Sequence, residues 1–547
     1  MTDFLNRHTL HLTPLSPIHL GTGEDFEPTN YIIADNALYA FDPAQAELDD
    51  WQRQELLKLV RRINAKNDME GLAQIKNHIQ KNAKHFIRGA YSISSTTNKL
   101  AEEYQETKDN QFRIERTATN PHSHAPYIPG SALKGCLRTT LLDARSEKHQ
   151  GEAPTSKTAD RFEKQHLGSF ATDLLRLVKP ADLNASGDIA THICYATNHK
   201  KKEIIGKDGR PVEGKGVTGR RETIQHGQYR AFSGSLALQN LLLDHRPQLK
   251  DADKKLPSET SPNITRLIRA ANHYHLTRFA QESALLIERD LVQPEWQRST
   301  ERLLEALKPE LDSGTILLVR LGKNGGAESK TLEKYAQIKI MSAKGAKPTY
   351  EKHSKTVWLA AENTGEQKNL LPFGWALIEI DPTGDNDALQ KWCKENSAHL
   401  KDAAVLREKL RAAQNAKAEQ AAKNAAEAAA KAAALAAEHA EKAAAAEAEA
   451  ARLASLSPAK RLAEEILALV QAHGENYNPR AYVKNDACYH TLREKLAAIP
   501  SELPDLAAQK EFAEALPYLT LAAACKALFT AKREKEIKAT LRQLRGE

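Results

Sequence analysis

Cysteine is scarce. The 547 residues hold five, at Cys136, Cys194, Cys393, Cys488 and Cys525, and no two form a CxxC pair. An odd count at irregular spacing argues against a disulfide framework or a zinc ribbon and fits a reducing compartment. Long apolar runs are missing as well. None approaches the ~18 residues of a membrane helix, and the opening MTDFLNRHTLHLTPLSP has no apolar stretch suited to a secretion signal. A cytoplasmic location without a membrane partner is therefore expected. The glycine-rich stretch RLGKNGGAESKT is neither GxxxxGK[ST] nor GxGxxG, which argues against a nucleotide cofactor there. HxxxH and HExxH are absent, as are a nucleophile elbow and an acidic cluster suited to Mg²⁺, so neither cofactor nor metal is expected.

Charge is present in quantity and nearly balanced: 78 lysines and arginines against 71 acids, a net of +7. Over this length the excess is mild and does not by itself identify a nucleic-acid partner. Local clustering is the informative quantity.

Periodicity divides the chain. HTLHLTPLSPIHLGTG alternates like a strand and reaches a turn at Gly21 and Gly23. NYIIADNALYAFD predicts a hairpin, Tyr31–Ala34 and Ala37–Phe41 about Asp35-Asn36. Ala46 to Arg88 has helical spacing, with Leu56, Leu57, Leu59, Val60 and Ile63 on one face. Thr96–Asn120 and Glu147–Gly168 are polar and predicted as loops. DLLRLVKPADLN predicts a strand entering a turn. Ile189–Leu243 predicts antiparallel strands around a basic hairpin, Lys200–Arg221, in which eight cations face three acids. Ile264–Leu291 and Glu295–Leu307 are helical, and strands follow at Gly314 and before Asp381. From Ala403 to Leu456 alanine, lysine and glutamate dominate without glycine or proline, which predicts one long helix. Ser457-Pro458 then starts a compact all-α segment. The expected organisation is an α+β region over 1–383, a linker and Ala-rich helix over 384–456, and an all-α domain over 457–547.

Three motifs carry the candidate chemistry. In PYIPGSALKGCLRTTLL, Gly130 and Ser131 open a helix whose Leu133, Leu137 and Leu141 face the core. Ser131 is a suitable N-cap, and the helix start with Lys134 and Arg138 favours an anion. In RLGKNGGAESKT, Gly322, Gly325 and Gly326 allow close backbone approach, while Arg320, Lys323 and Lys330 supply charge. The basic hairpin ends at Arg220 and Arg221. Among scattered histidines, His19 precedes the Gly21/Gly23 turn.

These segments resemble a known family. LTPLSPIHLGTGEDFEPTNYIIADNALYAFD is similar to the N-terminal strand, glycine turn and hairpin of the RAMP proteins of type III CRISPR systems. YIPGSALKGCLRTTLL resembles the internal signature of that family. LLRLVKPADLN, RRETIQHGQYRAFSGSLAL, LLVRLGKNGGAESKT and LPFGWALIEI follow in the family order, over Leu12–Asp381. Within the family the order looks most like the Csm (type III-A) subunit that ends the effector backbone near the crRNA 3′ end.

The resemblance implies an α+β fold with a ferredoxin-like (RRM-like) core and insertions, followed here by the Ala-rich helix and a small all-α domain. It implies a non-catalytic crRNA-binding scaffold without a cofactor, serving crRNA maturation and antiviral defence. Expected partners are crRNA, target RNA, a neighbouring RAMP backbone subunit and a small helical subunit. Expected RNA contacts are His19, Gly21, Gly23, Gly130, Ser131, Lys134, Arg138, Arg220, Arg221, Arg320, Gly322, Lys323, Gly325, Gly326 and Lys330. Two other readings stand beside it. One is a metal-independent crRNA-processing endoribonuclease with His19 or His226 as general base. The other is a structural protein centred on the Ala-rich rod. The stretch after Asp381 departs from the family pattern.

Overall fold

The alternating N-terminal run folds as strand β1 (Leu5–Pro14), which drives Leu10 and Leu12 into the core. A computed structural model of the full chain describes all residues except 1–3, 63–68, 108–111, 156, 171, 204, 206–208, 210–217, 241–261, 341–346 and 481, and the side chains of 69 and 482–485. The remaining strands, numbered in chain order, are β2 (Gly21–Asp25), β3 (Tyr31–Ala34), β4 (Ala37–Phe41), β5 (Ala90–Ser95), β6 (Ile114–Thr117), β7 (Tyr127–Ile128), β8 (Val178–Pro180), β9 (Leu183–Ala185), β10 (Thr191–Lys200), β11 (Gly219–Ile224), β12 (Phe232–Gln239), β13 (Ile316–Arg320), β14 (Ile338–Ile340), β15 (Thr349–Glu351), β16 (Thr356–Ala361), β17 (Leu371–Pro372) and β18 (Trp375–Ile380). Helices are α1 (Asp50–Arg62), α2 (Met69–Lys81), α3 (Ala83–Arg88), α4 (Asn98–Glu106), α5 (Gly130–Ser146), α6 (Ala159–Leu167), α7 (Ile264–Glu288), α8 (Pro294–Ala306), α9 (Lys308–Ser313), α10 (Asp387–Glu395), α11 (Leu400–Ser455), α12 (Pro458–Glu475), α13 (Tyr482–Glu502), α14 (Leu506–Ala515), α15 (Tyr518–Ala524) and α16 (Ala531–Arg545).

In the first sheet β1 lies between β12 and β18, antiparallel to both. β13 extends it beyond β18, and β8, β9 and β7 extend it beyond β12. In chain order β1–α5–β8/β9–β12–α7–β18 is a βαββαβ unit, and its spatial order 4-1-3-2 is the ferredoxin-like one expected from sequence. Leu133, Leu137 and Leu141 of α5 and Leu267, Ile268 and Ala271 of α7 close one core with Leu12, Phe232 and Ile378. The second sheet runs β2-β6-β11-β10-β5-β4-β3, with β16 on β10 and β17 on β16. Its core gathers Tyr31, Phe41, Phe86, Trp296 and Trp375. The β3–β4 turn has Asp35 at φ 51° and Asn36 at φ 56°, the left-handed pair a two-residue hairpin turn needs.

Several local expectations change. Thr96–Asn120 is not a plain loop. It carries α4, whose Leu100 and Tyr104 are buried, and β6. Glu147–Gly168 likewise contains α6, with Phe162 and Leu167 buried. Apolar residues four or five apart among polar ones are enough to seat a two-turn helix, and polarity alone hid them. On α1, Leu56 and Leu59 pack against the core while Leu57 and Val60 stay exposed, so the inward face is narrower than expected. Ile63 and most of the basic hairpin tip, with Lys207, Arg210 and Lys215, lie outside the described residues.

The chain divides into two compact units, Met1–Ala418 and Glu419–Glu547, with the division inside α11. In the second unit α12–α16 close their own core around Val470, Leu492, Phe512 and Leu528. Ser457 caps α12 by accepting from the Lys460 N–H at 3.3 Å, and Pro458 takes its first turn. Among the described residues no helix is long and apolar enough to cross a membrane.

Candidate nucleic-acid interface

Three segments far apart in sequence line one open cleft of about 1160 Å³. Its floor is the face of α5 bearing Ser131, Gly135 and Thr139. One wall is β2, with Gly21 and Gly23, beside Glu115 and Arg116 of β6. The opposite wall is the glycine-rich loop after β13, with Gly322, Lys323 and Lys330.

The floor begins at Pro129, whose extended ψ of 131° ends the preceding strand. Ser131 is not the N-cap: Pro129 holds that place and no side chain caps the helix from it. The Gly130 N–H instead donates to Oδ1 of Asp182 at 2.7 Å, so a carboxylate already occupies the helix start. Gly130 is glycine for packing, since a Cβ there would stand 2.5 Å from the Pro180 carbonyl oxygen. Gly135 is different. It sits mid-helix where glycine costs about 0.5–1 kcal/mol against alanine, and a Cβ would meet nothing within 4 Å. Its absence of side chain keeps the cleft floor low.

On the first wall, Gly21 and Gly23 lie within a strand rather than a turn. The β2–β6 register slips between Gly21 and Asp25, and Gly23 takes φ 87° with open space around its Cα. On the second wall, Gly322 at φ 83° lets the loop press onto the segment between β1 and β2, where a Cβ would fall 2.3 Å from the His19 carbonyl oxygen. The Lys323 N–H donates to that oxygen at 2.9 Å. Ser329 Oγ donates to the carbonyls of Gly325 (2.8 Å) and Gly326 (3.0 Å), which ties the loop to itself.

The expected cations separate into two groups. Arg320 is a core residue: it pairs with Glu282 at 2.8 Å, donates to the Phe373 carbonyl at 2.9 Å and lies over Trp375. Arg220 stacks on Phe112 at 3.7 Å and pairs with Glu103. Arg221 is buried, pairs with Glu115 at 3.1 Å and donates to Asn324 Oδ1 at 2.8 Å, anchoring β11 to the glycine loop. Arg138 is held by Glu163 and by Asp173 at 2.7 Å. These four are structural ties. Lys134 has no hydrogen bond or ion pair among the described residues, but like Arg138 it stands at the flank of α5 and does not line the cleft. Burial and the neighbouring Lys179 lower its pKa. Lys330 is exposed and unpaired among the described residues, and Lys323 reaches only Glu115, at 2.6 Å. Arg116, which the sequence reading did not single out, enters the cleft with its guanidinium over Phe26.

Glu115 is the electrostatic hub. Burial works to raise its pKa, but Lys323 and Arg221 outweigh that and leave it below the usual carboxylate range. His19 is fully buried, with Nδ1 2.8 Å from the Glu222 carbonyl and Nε2 3.4 Å from Glu115. Burial lowers its pKa and keeps it neutral near pH 7. A ring with no exposed surface cannot reach a ribose hydroxyl in this arrangement, which weakens the case for His19 as a general base. His226 lies in a different cavity, stacked on His399 at 4.3 Å.

The family model of the RAMP superfamily matches residues 11–323, and the chain belongs to that superfamily. It is similar to a chain of a Csm–crRNA–target RNA ternary complex of a type III-A CRISPR-Cas system, solved by cryo-EM, with 14% identity and a TM-score of 0.43, covering 68% of this chain and 100% of that one. It is also similar to the T. onnurineus Csm5 crystal structure, with 16% identity and a TM-score of 0.39, covering 67% and 99%. No curated protein matches the chain.

Proposed function

We propose that this RAMP-superfamily chain is a non-catalytic crRNA-binding scaffold of a type III CRISPR effector, resembling the Csm subunit that ends the backbone near the crRNA 3′ end. In this role it docks on a neighbouring RAMP subunit and a small helical subunit and supports crRNA maturation. The observation that carries the reading is convergence: the Gly21–Gly23 segment, the Ser131–Thr139 helix face and the Gly322–Lys330 loop line one cleft. Bare backbone at Gly23 and Gly135 admits a polymer closely, the Ser131 hydroxyl can donate to phosphate oxygens, and Arg116, Lys323 and Lys330 supply positive charge beside the carboxylates Glu24, Asp25 and Glu115. Backbone contact without base-edge readout leaves sequence to base pairing.

Anisotropy titration of repeat-derived single-stranded RNA against the full chain at several salt concentrations tests this. Log affinity should fall with log salt by roughly 0.7 per neutralised phosphate. Arg116→Ala with Lys330→Ala should weaken binding on the order of tenfold and flatten the slope by about 1–1.5. A folded double variant that binds like wild type would remove the cleft from the RNA path.

A further inference from the structure

A second cavity lies in the first unit, about 780 Å³ in volume. Five carboxylates line it: Asp35 in the β3–β4 turn, Glu295 of α8, Glu362 after β16, Glu395 ending α10 and Asp402 of α11. Among the described residues no lysine or arginine lines it, in a chain whose net charge is +7. We propose that this cavity binds an aliphatic polyammonium cation, a free polyamine.

The polar wall is ordered. Gln225 Nε2 donates to Ser95 Oγ at 3.1 Å, Ser95 Oγ lies 2.9 Å from His192 Nδ1, and His192 Nε2 lies 2.9 Å from Glu362. This chain holds Glu362 in place. Asp35 and Asp402 have no hydrogen bond or ion pair among the described residues. Glu295 and Glu395 reach only the exposed Arg298 (3.4 Å) and Arg302 (3.8 Å) outside the cavity.

A second observation is independent of the acids. Thr96 is 7% exposed and its Oγ1 has no partner among the described residues. His226 is 9% exposed, makes no side-chain hydrogen bond among the described residues and stacks on His399. Thr96, His226 and His399 all line the cavity. Burial holds the His226 imidazole neutral, well below its ordinary pKa. A neutral imidazole and a hydroxyl oxygen accept hydrogen bonds, and an ammonium can only donate them. Trp296, Leu371 and Leu406 supply apolar surface for the methylene stems between charges.

Other occupants fit less well. Among the described residues no three His, Cys, Asp or Glu side chains converge as metal ligands. A phosphate would face five carboxylates. The Ser95–His192–Glu362 order resembles a nucleophilic relay, but an oxyanion formed there would be opposed by the same charges. Carboxylates on five separate segments suit several positive centres better than one.

The test is calorimetric titration of spermidine into the RNA-free full chain. Saturable one-to-one binding is expected, at least tenfold weaker in Asp35→Asn with Asp402→Asn. Neither carboxylate has a partner to lose among the described residues, and asparagine tolerates the left-handed turn at 35. N-acetyl-lysinamide, a single cation, should bind at least tenfold more weakly than spermidine. Should the double variant misfold, Glu295→Gln with Glu395→Gln, both exposed, should still weaken spermidine several-fold. Absence of saturable heat, affinity unchanged in the folded variant, or N-acetyl-lysinamide binding as tightly as spermidine would overturn the proposal.

Discussion

Gly135 and Gly130 stand five residues apart on one helix and have opposite reasons to be glycine. An alanine Cβ at Gly135 meets open cleft, so Gly135→Ala should raise stability by about 0.5–1 kcal/mol in urea melts. The same change should lower RNA affinity, because it raises the cleft floor. Added stability with undiminished affinity would make Gly135 a neutral feature of the helix. At Gly130 a Cβ would collide with the Pro180 and Ala181 carbonyls. Gly130→Ala should therefore cost about 1–3 kcal/mol. Arg138→Ala removes a tie to Glu163 and Asp173 and should cost about 1 kcal/mol, with RNA affinity nearly unchanged. Strong loss of RNA binding without destabilisation would put Arg138 back among the RNA contacts.

Elements show how far the sequence could be read. The β3–β4 hairpin was legible to the residue, because Asp-Asn between two apolar runs permits few turns. The core face of α5 and the cap of α12 were legible from leucine spacing and from Ser-Pro. The start of α5 was not, because the partner of its first N–H, Asp182, lies 52 residues away. Cations misled for the same reason. A sequence shows that Arg320 and Arg221 are charged but not that Glu282 and Glu115 have already taken them. Arg116 and Gly135 went unremarked for want of a local pattern, although a glycine four residues after Ser131 on an amphipathic helix was a usable signal.

Buried imidazoles make a pH prediction for these elements. Burial, then the nearby Arg320 and Arg278, lowers His275 to about 3, and burial lowers His226 well below its ordinary value. The unfolded chain takes up these protons near pH 6.5 and the folded chain does not, so stability falls as pH drops from about 6.5 toward 4. Glu328 extends the loss downward. Burial works to raise its pKa, yet Lys201 and Ser354 outweigh that and bring it to about 2. Buried Glu222, whose pKa burial raises, acts in the opposite sense and gains stability as pH falls. The urea midpoint of the first unit should fall between pH 7 and pH 5, and a flat profile would mean that the imidazoles titrate normally.

Over the whole molecule, two compact units imply two separable stabilities. Leu492 is fully buried in the helical unit, and Leu492→Ala should cost that unit about 2–5 kcal/mol. RNA binding by the first unit should persist, as seen by anisotropy at a temperature where only the second unit has melted. Loss of RNA affinity with the helical unit would show that the extension takes part in binding. The central claim is that crRNA runs through the cleft between β2, α5 and the glycine loop. Photo-crosslinking of 4-thiouridine-substituted repeat RNA to the full chain, followed by mass spectrometry of the conjugated peptides, tests it most directly. Crosslinks should fall on peptides from all three walls, near Gly23, Thr139 and Lys330. Crosslinks confined to the Lys134–Lys179 flank or to the helical unit would contradict the account.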